Sequence, residues 1–133
     1  MRTILVVEDD INTLNGLKKL LEIEGYRVIA ATTGEAAIQR ANEATIDLLI
    51  CDFCLPDMNG DRVCEQVRKL QPQCRLFLVT AYGLPEIVEK ANTLDIESIF
   101  HKPIDLELLL STIAAGEPEP KDTSNTLTTV EIR

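Results

Sequence analysis

Short apolar runs rich in Val, Ile and Leu alternate along the chain with longer stretches of helical period, and the alternation repeats five times before the composition changes near Gly116. The runs predict strands at Thr3 to Glu8, Arg27 to Ala30, Asp47 to Cys51, Arg75 to Thr80 and Glu97 to His101. Three of them are apolar on consecutive residues, as expected of strands covered on both faces in a parallel sheet. Between them the spacing predicts helices over about Ile11 to Glu24, Gly34 to Glu43, Asp61 to Leu70, Pro85 to Asn92 and Leu106 to Ala114. Leu14, Leu17 and Leu21 fall on one helix face, as do Val63, Val67 and Leu70. Thr33 and Asp105 suit N-caps, and Pro85 suits a first turn. Gly25 and Gly116 sit just past helix ends, where a left-handed residue is expected. The pattern is that of an α/β fold, a parallel five-stranded sheet with helices on both faces.

At 133 residues the chain has room for one folded domain, expected over residues 1–116, and a short tail over residues 117–133. That tail is rich in Pro, Thr and acid and buries too little apolar area to order itself alone. Val130 and Ile132 alternate like a strand and leave packing against another surface open. Asp and Glu outnumber Lys and Arg by 22 to 13, and a net charge of −9 repels nucleic-acid phosphates and anionic membranes. Direct nucleic-acid binding and membrane insertion are therefore not expected. Met1-Arg2-Thr3 leads straight into an apolar run without a signal peptide, and four cysteines are too few for a disulfide scaffold, so a cytoplasmic protein with reduced thiols is expected.

In an open parallel sheet, ligands gather at the carboxyl ends of the strands. There the sequence places Glu8-Asp9-Asp10, Asp52, Thr80 and His101-Lys102-Pro103. Three carboxylates at one edge repel one another unless a cation lies among them, and hard oxygen donors without imidazole or thiolate favour Mg²⁺. Asp10 reads equally as the cap of the first helix. Asp52, between Leu48-Leu49-Ile50-Cys51 and the turn Leu55-Pro56-Asp57-Met58-Asn59-Gly60, is either a nucleophile at the rim or a turn residue capping the loop. Lys102 brings positive charge and Thr80 a hydroxyl, the two groups that would neutralise a transferring phosphoryl group.

These residues resemble a known family over roughly Arg2 to Ala115: the receiver domains of two-component response regulators. The resemblance rests on the acidic doublet after ILVV, an Asp followed by xxLPDMNG, the Thr of LVTAYG and the Lys-Pro of HKP, all in the family's order. It implies a doubly wound sheet of flavodoxin-like order 2-1-3-4-5. It also implies that Glu8 and Asp9 are the metal-binding acids for Mg²⁺, joined by Asp52 and the backbone carbonyl of Cys54. Asp52 would be the phosphoryl acceptor, with Thr80 and Lys102 contacting the phosphate. By the same resemblance the donor is a phosphohistidine on a sensor kinase or phosphotransfer protein. The domain would catalyse its own phosphorylation and dephosphorylation and then engage an output protein or domain, alone or as a homodimer.

The sequence departs from the family pattern at Ile99, where an aromatic switch residue is common; Phe100 is adjacent but alternates to the opposite face. Tyr82, two residues after Thr80, and Cys54, two after Asp52, flank the expected phosphate and could screen it from water; Tyr82 reads equally as a partner contact. Cys51-x-x-Cys54 straddles a strand end instead of opening a helix, which argues against a thioredoxin-like pair and for Cys51, Cys64 and Cys74 as small core residues. Two rivals stay open: a receiver-like interaction domain that is never phosphorylated, and an Asp-nucleophile, Mg²⁺-dependent phosphatase of the haloacid dehalogenase type. The phosphatase would need a second Asp where Cys54 stands.

Overall fold

The computed structural model describes residues 2–81, 83 and 85–117. Tyr82, with its expected screening role, and the tail from residue 118 lie outside the described residues.

Five strands, β1 (Thr3–Val7), β2 (Arg27–Ala31), β3 (Leu48–Asp52), β4 (Arg75–Thr80) and β5 (Ser98–His101), alternate with five helices, α1 (Ile11–Ile23), α2 (Gly34–Glu43), α3 (Gly60–Leu70), α4 (Pro85–Leu94) and α5 (Leu106–Ala115). The sheet order is β2-β1-β3-β4-β5 and every pairing is parallel. This is the doubly wound sheet expected above. Alternating residues of each central strand feed two cores. Leu5, Val7, Leu49, Cys51, Leu76 and Leu78 pack toward α2, α3 and Ile87 of α4, whereas Ile4, Val6, Leu48, Ile50, Phe77 and Val79 pack toward α1 and α5. Each such Leu, Ile or Phe contributes about 1.5–3 kcal/mol by leaving water, which is why β1, β3 and β4 are apolar without interruption.

The helix starts follow the expected capping chemistry. Thr33 accepts from Ala36 N–H, Asp105 from Leu108 N–H, and Asp10 from Thr13 N–H, so Asp10 is committed to capping α1. Gly25 has φ +98°, the left-handed conformation expected past α1.

Three local expectations are corrected. Gly116 has φ −93° and is not left-handed; its lack of a side chain makes room for the Arg75 guanidinium, which a Cβ there would overlap. That guanidinium donates to both Glu97 carboxylate oxygens at 2.7 Å, to the Ile113 carbonyl at 2.8 Å and to the Thr112 carbonyl at 3.0 Å, fastening the end of α5 to the start of β5. The pairing with Arg75 holds the Glu97 carboxyl below its ordinary range. Leu70, expected on the buried face with Val63 and Val67, is the last residue of α3 and is 41% exposed. β3 is shifted one residue from the expected Asp47 to Cys51: the Asp47 carboxylate accepts from Thr3 N–H at 2.8 Å, and Asp52 becomes the last strand residue.

Among the described residues no helix is long and apolar enough to cross a membrane.

Candidate functional site

The order β2-β1-β3 reverses direction at β1, opening a crevice at the carboxyl ends of β1 and β3. Parallel register brings four strand ends to this one edge: Val7 pairs with Cys51, Asp52 with Val79, and Thr80 with His101. Glu8 and Asp9 follow β1, Asp52 closes β3, Thr80 closes β4 and Lys102 follows β5. One carboxylate oxygen from each of Glu8, Asp9 and Asp52 lies within 4.8 Å of the others. Asp10, the third acid of the run, is turned away into its capping role.

The cluster is held by backbone. Glu8 N–H donates to the Ala31 carbonyl at 3.1 Å, extending the β1 ladder one residue so that its side chain enters the crevice, 4% exposed. Glu8 Oε2 accepts from Asp10 N–H at 3.0 Å. Asp52, 5% exposed, accepts from Cys54 N–H at 3.3 Å. Lys102 N–H donates to the Thr80 carbonyl at 2.9 Å, which aligns the residue after β5 with the end of β4. Its ammonium then reaches Asp52 Oδ2 at 2.8 Å and Glu8 Oε1 at 3.2 Å. The Lys102–Pro103 peptide bond is cis. Thr80 is buried, 1% exposed.

Burial pushes the Glu8 carboxyl above its ordinary range, and the neighbouring Asp52 charge adds to the push against the Asp10 N–H and Lys102. Partial burial works against the Lys102 ammonium, but its hydrogen bond and charge pairing with Asp52, with Glu8 behind, outweigh it and raise its pKa above the ordinary lysine value. The pocket thus holds more negative charge than one lysine balances. Its donors are oxygens alone, and three converging carboxylates fit a hard divalent cation such as Mg²⁺.

The expected Glu8, Asp9, Asp52 and Lys102 come together, with Thr80 at the same edge. Cys54 is exposed in the β3–α3 loop, two residues beyond Asp52. All four cysteines are free thiols, and burial pushes the Cys64 and Cys74 thiols up to about 12, in keeping with small core residues. Ile99 packs in the α2–α3–α4 core, while Phe100 lies in the opposite one with its ring centroid 5.3 Å from that of Phe77. No aromatic thus occupies the Ile99 position, and Phe100 does not replace it.

Two residues of the site region gave no signal of their role in the sequence. Gly60 closes the β3–α3 loop by donating its N–H to the Phe53 carbonyl at 2.6 Å, and its Cα lies against the Asp52 backbone. Asp57, in the same loop, accepts from the Gly34 and Glu35 N–H groups of α2 at 2.9 Å each. A Gly after LPDMN announces a turn, but its distance from the Asp52 carbonyl is a tertiary fact.

Residues 4–114 match the family model described as the response regulator receiver domain. Among curated proteins the chain is 36% identical over 107 residues to a cyclic di-GMP phosphodiesterase of Thermotoga maritima, covering 80% of this chain and 28% of that protein. It is 32% identical over 110 residues to the transcriptional regulatory protein ZraR of Escherichia coli, covering 83% and 25% respectively. The chain therefore spans about a quarter of the length of the curated relatives it matches. Among solved structures it resembles a CheY-like receiver domain protein of Methanospirillum hungatei, with TM-score 0.84 and 30% identity over 86% of this chain and 92% of that one. It also resembles the response regulator TrrA of Thermotoga maritima in complex with Mg²⁺ and BeF, with TM-score 0.78 and 28% identity over 86% and 98%.

Proposed function

The chain belongs to the response regulator receiver domains of two-component systems, and from that premise we propose that it is a phosphorylation-dependent switch whose acceptor is Asp52. The observation that carries the reading is the placement of one ammonium, Lys102 Nζ, on both Asp52 Oδ2 and Glu8 Oε1 inside a cluster of three carboxylates. A structural cap needs no such concentration of charge. A phosphoryl acceptor needs it, since the incoming group brings further negative charge.

In the proposed reaction an Asp52 carboxylate oxygen attacks the phosphorus of a phosphohistidine on a sensor kinase or phosphotransfer protein. A P–O bond forms, the P–N bond breaks, and the imidazole nitrogen keeps the electron pair. An ionised carboxylate needs no general base, and the acyl phosphate formed is readily hydrolysed, as a reversible signal requires. Lys102, already on Asp52, passes to a phosphoryl oxygen as the carboxylate charge is used in the new bond. The Thr80 hydroxyl donates to another, linking the phosphate to the end of β4 and the start of α4. Glu8, Asp9, Asp52 and the Cys54 carbonyl would hold Mg²⁺, which supplies positive charge to the phosphoryl oxygens when bound. With Ile99 in the core, the switch works through Thr80 without an aromatic partner at that position. The output is a protein or domain that reads the altered α4 region, in keeping with relatives that carry regulatory or phosphodiesterase functions in much longer chains.

Incubation with acetyl phosphate and Mg²⁺ tests this by intact mass. One phosphoryl group is gained per chain with Mg²⁺ and none with excess EDTA. Equal uptake in EDTA, or no uptake with Mg²⁺, would contradict the proposal.

A further inference from the structure

Asp57 lies in the β3–α3 loop, exposed and outside the acid cluster, yet both its carboxylate oxygens accept hydrogen bonds from another element. Its Oδ1 accepts from Gly34 N–H and its Oδ2 from Glu35 N–H, both at 2.9 Å and across more than twenty residues of chain. An α-helix leaves its first four N–H groups without partners inside the helix. At the start of α2, Gly34 and Glu35 donate to Asp57 and Ala36 to Thr33 Oγ1 at 3.1 Å, while Ala37 makes the first intrahelical bond, to the Thr33 carbonyl at 3.1 Å. Thr33 is the local cap. Asp57 is a second cap reaching in from another element, and its bidentate geometry with the helix dipole favours the charged form.

A bond has two ends, and the loop end is the informative one. The root of the loop is tied by Gly60 N–H to the Phe53 carbonyl and by a bridge between Cys54 and Asn59. Cys54 N–H in turn donates to Asp52 Oδ1. The tip is tied to α2 through Asp57, and Met58 beside it packs so closely over Gly34 that a Cβ there would need the Met58 side chain to move. The loop bearing the Cys54 carbonyl is therefore anchored at root and tip, and the tip's hydrogen bonds to α2 come from one carboxylate, beside the packing of Met58.

We propose that Asp57 is a positioning residue: by clamping the β3–α3 loop to the N-terminus of α2 it holds the Cys54 carbonyl at the height where a divalent cation on Glu8, Asp9 and Asp52 would use it. The inference rests on the reading of this edge as a Mg²⁺ site. Outer partners that orient metal ligands matter to affinity as well as to stability, and their loss costs roughly 10–100-fold in metal binding.

The test uses Mg²⁺ alone, titrated into the full chain and followed by the amide NMR shifts of Asp52 and Cys54, with thermal denaturation in parallel. Thr33→Ala is the control, because it removes a cap from the same helix without touching the loop. Asp57→Ala is expected to bind Mg²⁺ about tenfold more weakly, Asp57→Asn, which keeps one acceptor oxygen, to fall between it and wild type, and Thr33→Ala to lose stability with wild-type Mg²⁺ affinity. Wild-type affinity in Asp57→Ala, or an equal loss in Thr33→Ala, would overturn the positioning role while leaving the metal site standing. No Mg²⁺ response in the wild type would overturn the metal site itself, and the positioning role with it.

Discussion

Asp52→Asn is expected to gain no phosphoryl group from acetyl phosphate and Mg²⁺, with uptake falling by about 10⁴-fold or more, in the range that removal of an enzyme nucleophile costs. The amide has the shape of the carboxylate but no anionic oxygen, so the attack on phosphorus has no electron pair of sufficient basicity behind it. The fold has little reason to change. Lys102 keeps Glu8 at 3.2 Å, and the amide oxygen can still accept the Cys54 N–H that Asp52 Oδ1 accepts at 3.3 Å. The like-charge pressure that Asp52 adds to Glu8 is removed at the same time. Intact mass spectrometry reads the loss, and a thermal midpoint close to wild type separates lost chemistry from lost structure. Uptake at the wild-type rate would show that Asp52 is not the acceptor.

Gly60→Ala is expected to destabilise the chain by about 3 kcal/mol or more, the upper range for overpacking, and to lower the thermal midpoint by roughly 10 °C. An added Cβ would overlap the Asp52 carbonyl oxygen and lie 2.9 Å from Phe53 Cα and 3.0 Å from the Asp52 carbonyl carbon. All three are backbone atoms, which cannot swing aside as a side-chain tip does. Relief requires the end of β3 or the start of α3 to shift, straining the 2.6 Å bond from Gly60 N–H to the Phe53 carbonyl and displacing Asp52 itself. Gly16→Ala gives the contrast. It sits within α1 with nothing within 4 Å of an added Cβ, so the better helix former stabilises by up to about 1 kcal/mol. Denaturant midpoints of the two variants should move in opposite directions; a shift of the same sign would show that contact at the Asp52 backbone does not govern the Gly60 position.

The architecture was legible because each element announces itself locally. The uninterrupted apolar runs of β1, β3 and β4 are what two-faced burial demands, and Thr33 and Asp105 cap the helices their positions suggested. The acids, Thr80 and Lys102 were legible for a related reason: in a parallel sheet, the residue after each apolar run stands at the same edge as its counterparts. What the sequence concealed depends on contacts between distant segments. Gly116 looked like a left-handed terminus and serves instead as clearance for Arg75. Asp95 has φ +60° at the α4–β5 turn, where no glycine marked a left-handed residue, and its carbonyl accepts from Arg68 at 3.0 Å. Asp57 stood in the turn from Leu55 to Gly60 with nothing to single it out, and nothing marked Gln71. Yet Gln71 donates to the Ala41 and Ala44 carbonyls at 2.7 Å and accepts from Ile46 N–H at 2.6 Å, closing the passage from α2 to β3. No local pattern distinguishes Asp57 and Gln71 from their solvated equivalents, because their partners are 22 to 30 positions away.

The most direct measurement is chemical mapping of the modified residue. Borohydride reduces an acyl phosphate to the alcohol, so chain phosphorylated with acetyl phosphate and Mg²⁺, then reduced and digested, should carry homoserine at position 52 and at no other aspartate. Reduction at Glu8, Asp9 or Asp61 in place of Asp52, or a gain of phosphate that leaves every carboxylate unreduced, would contradict the account.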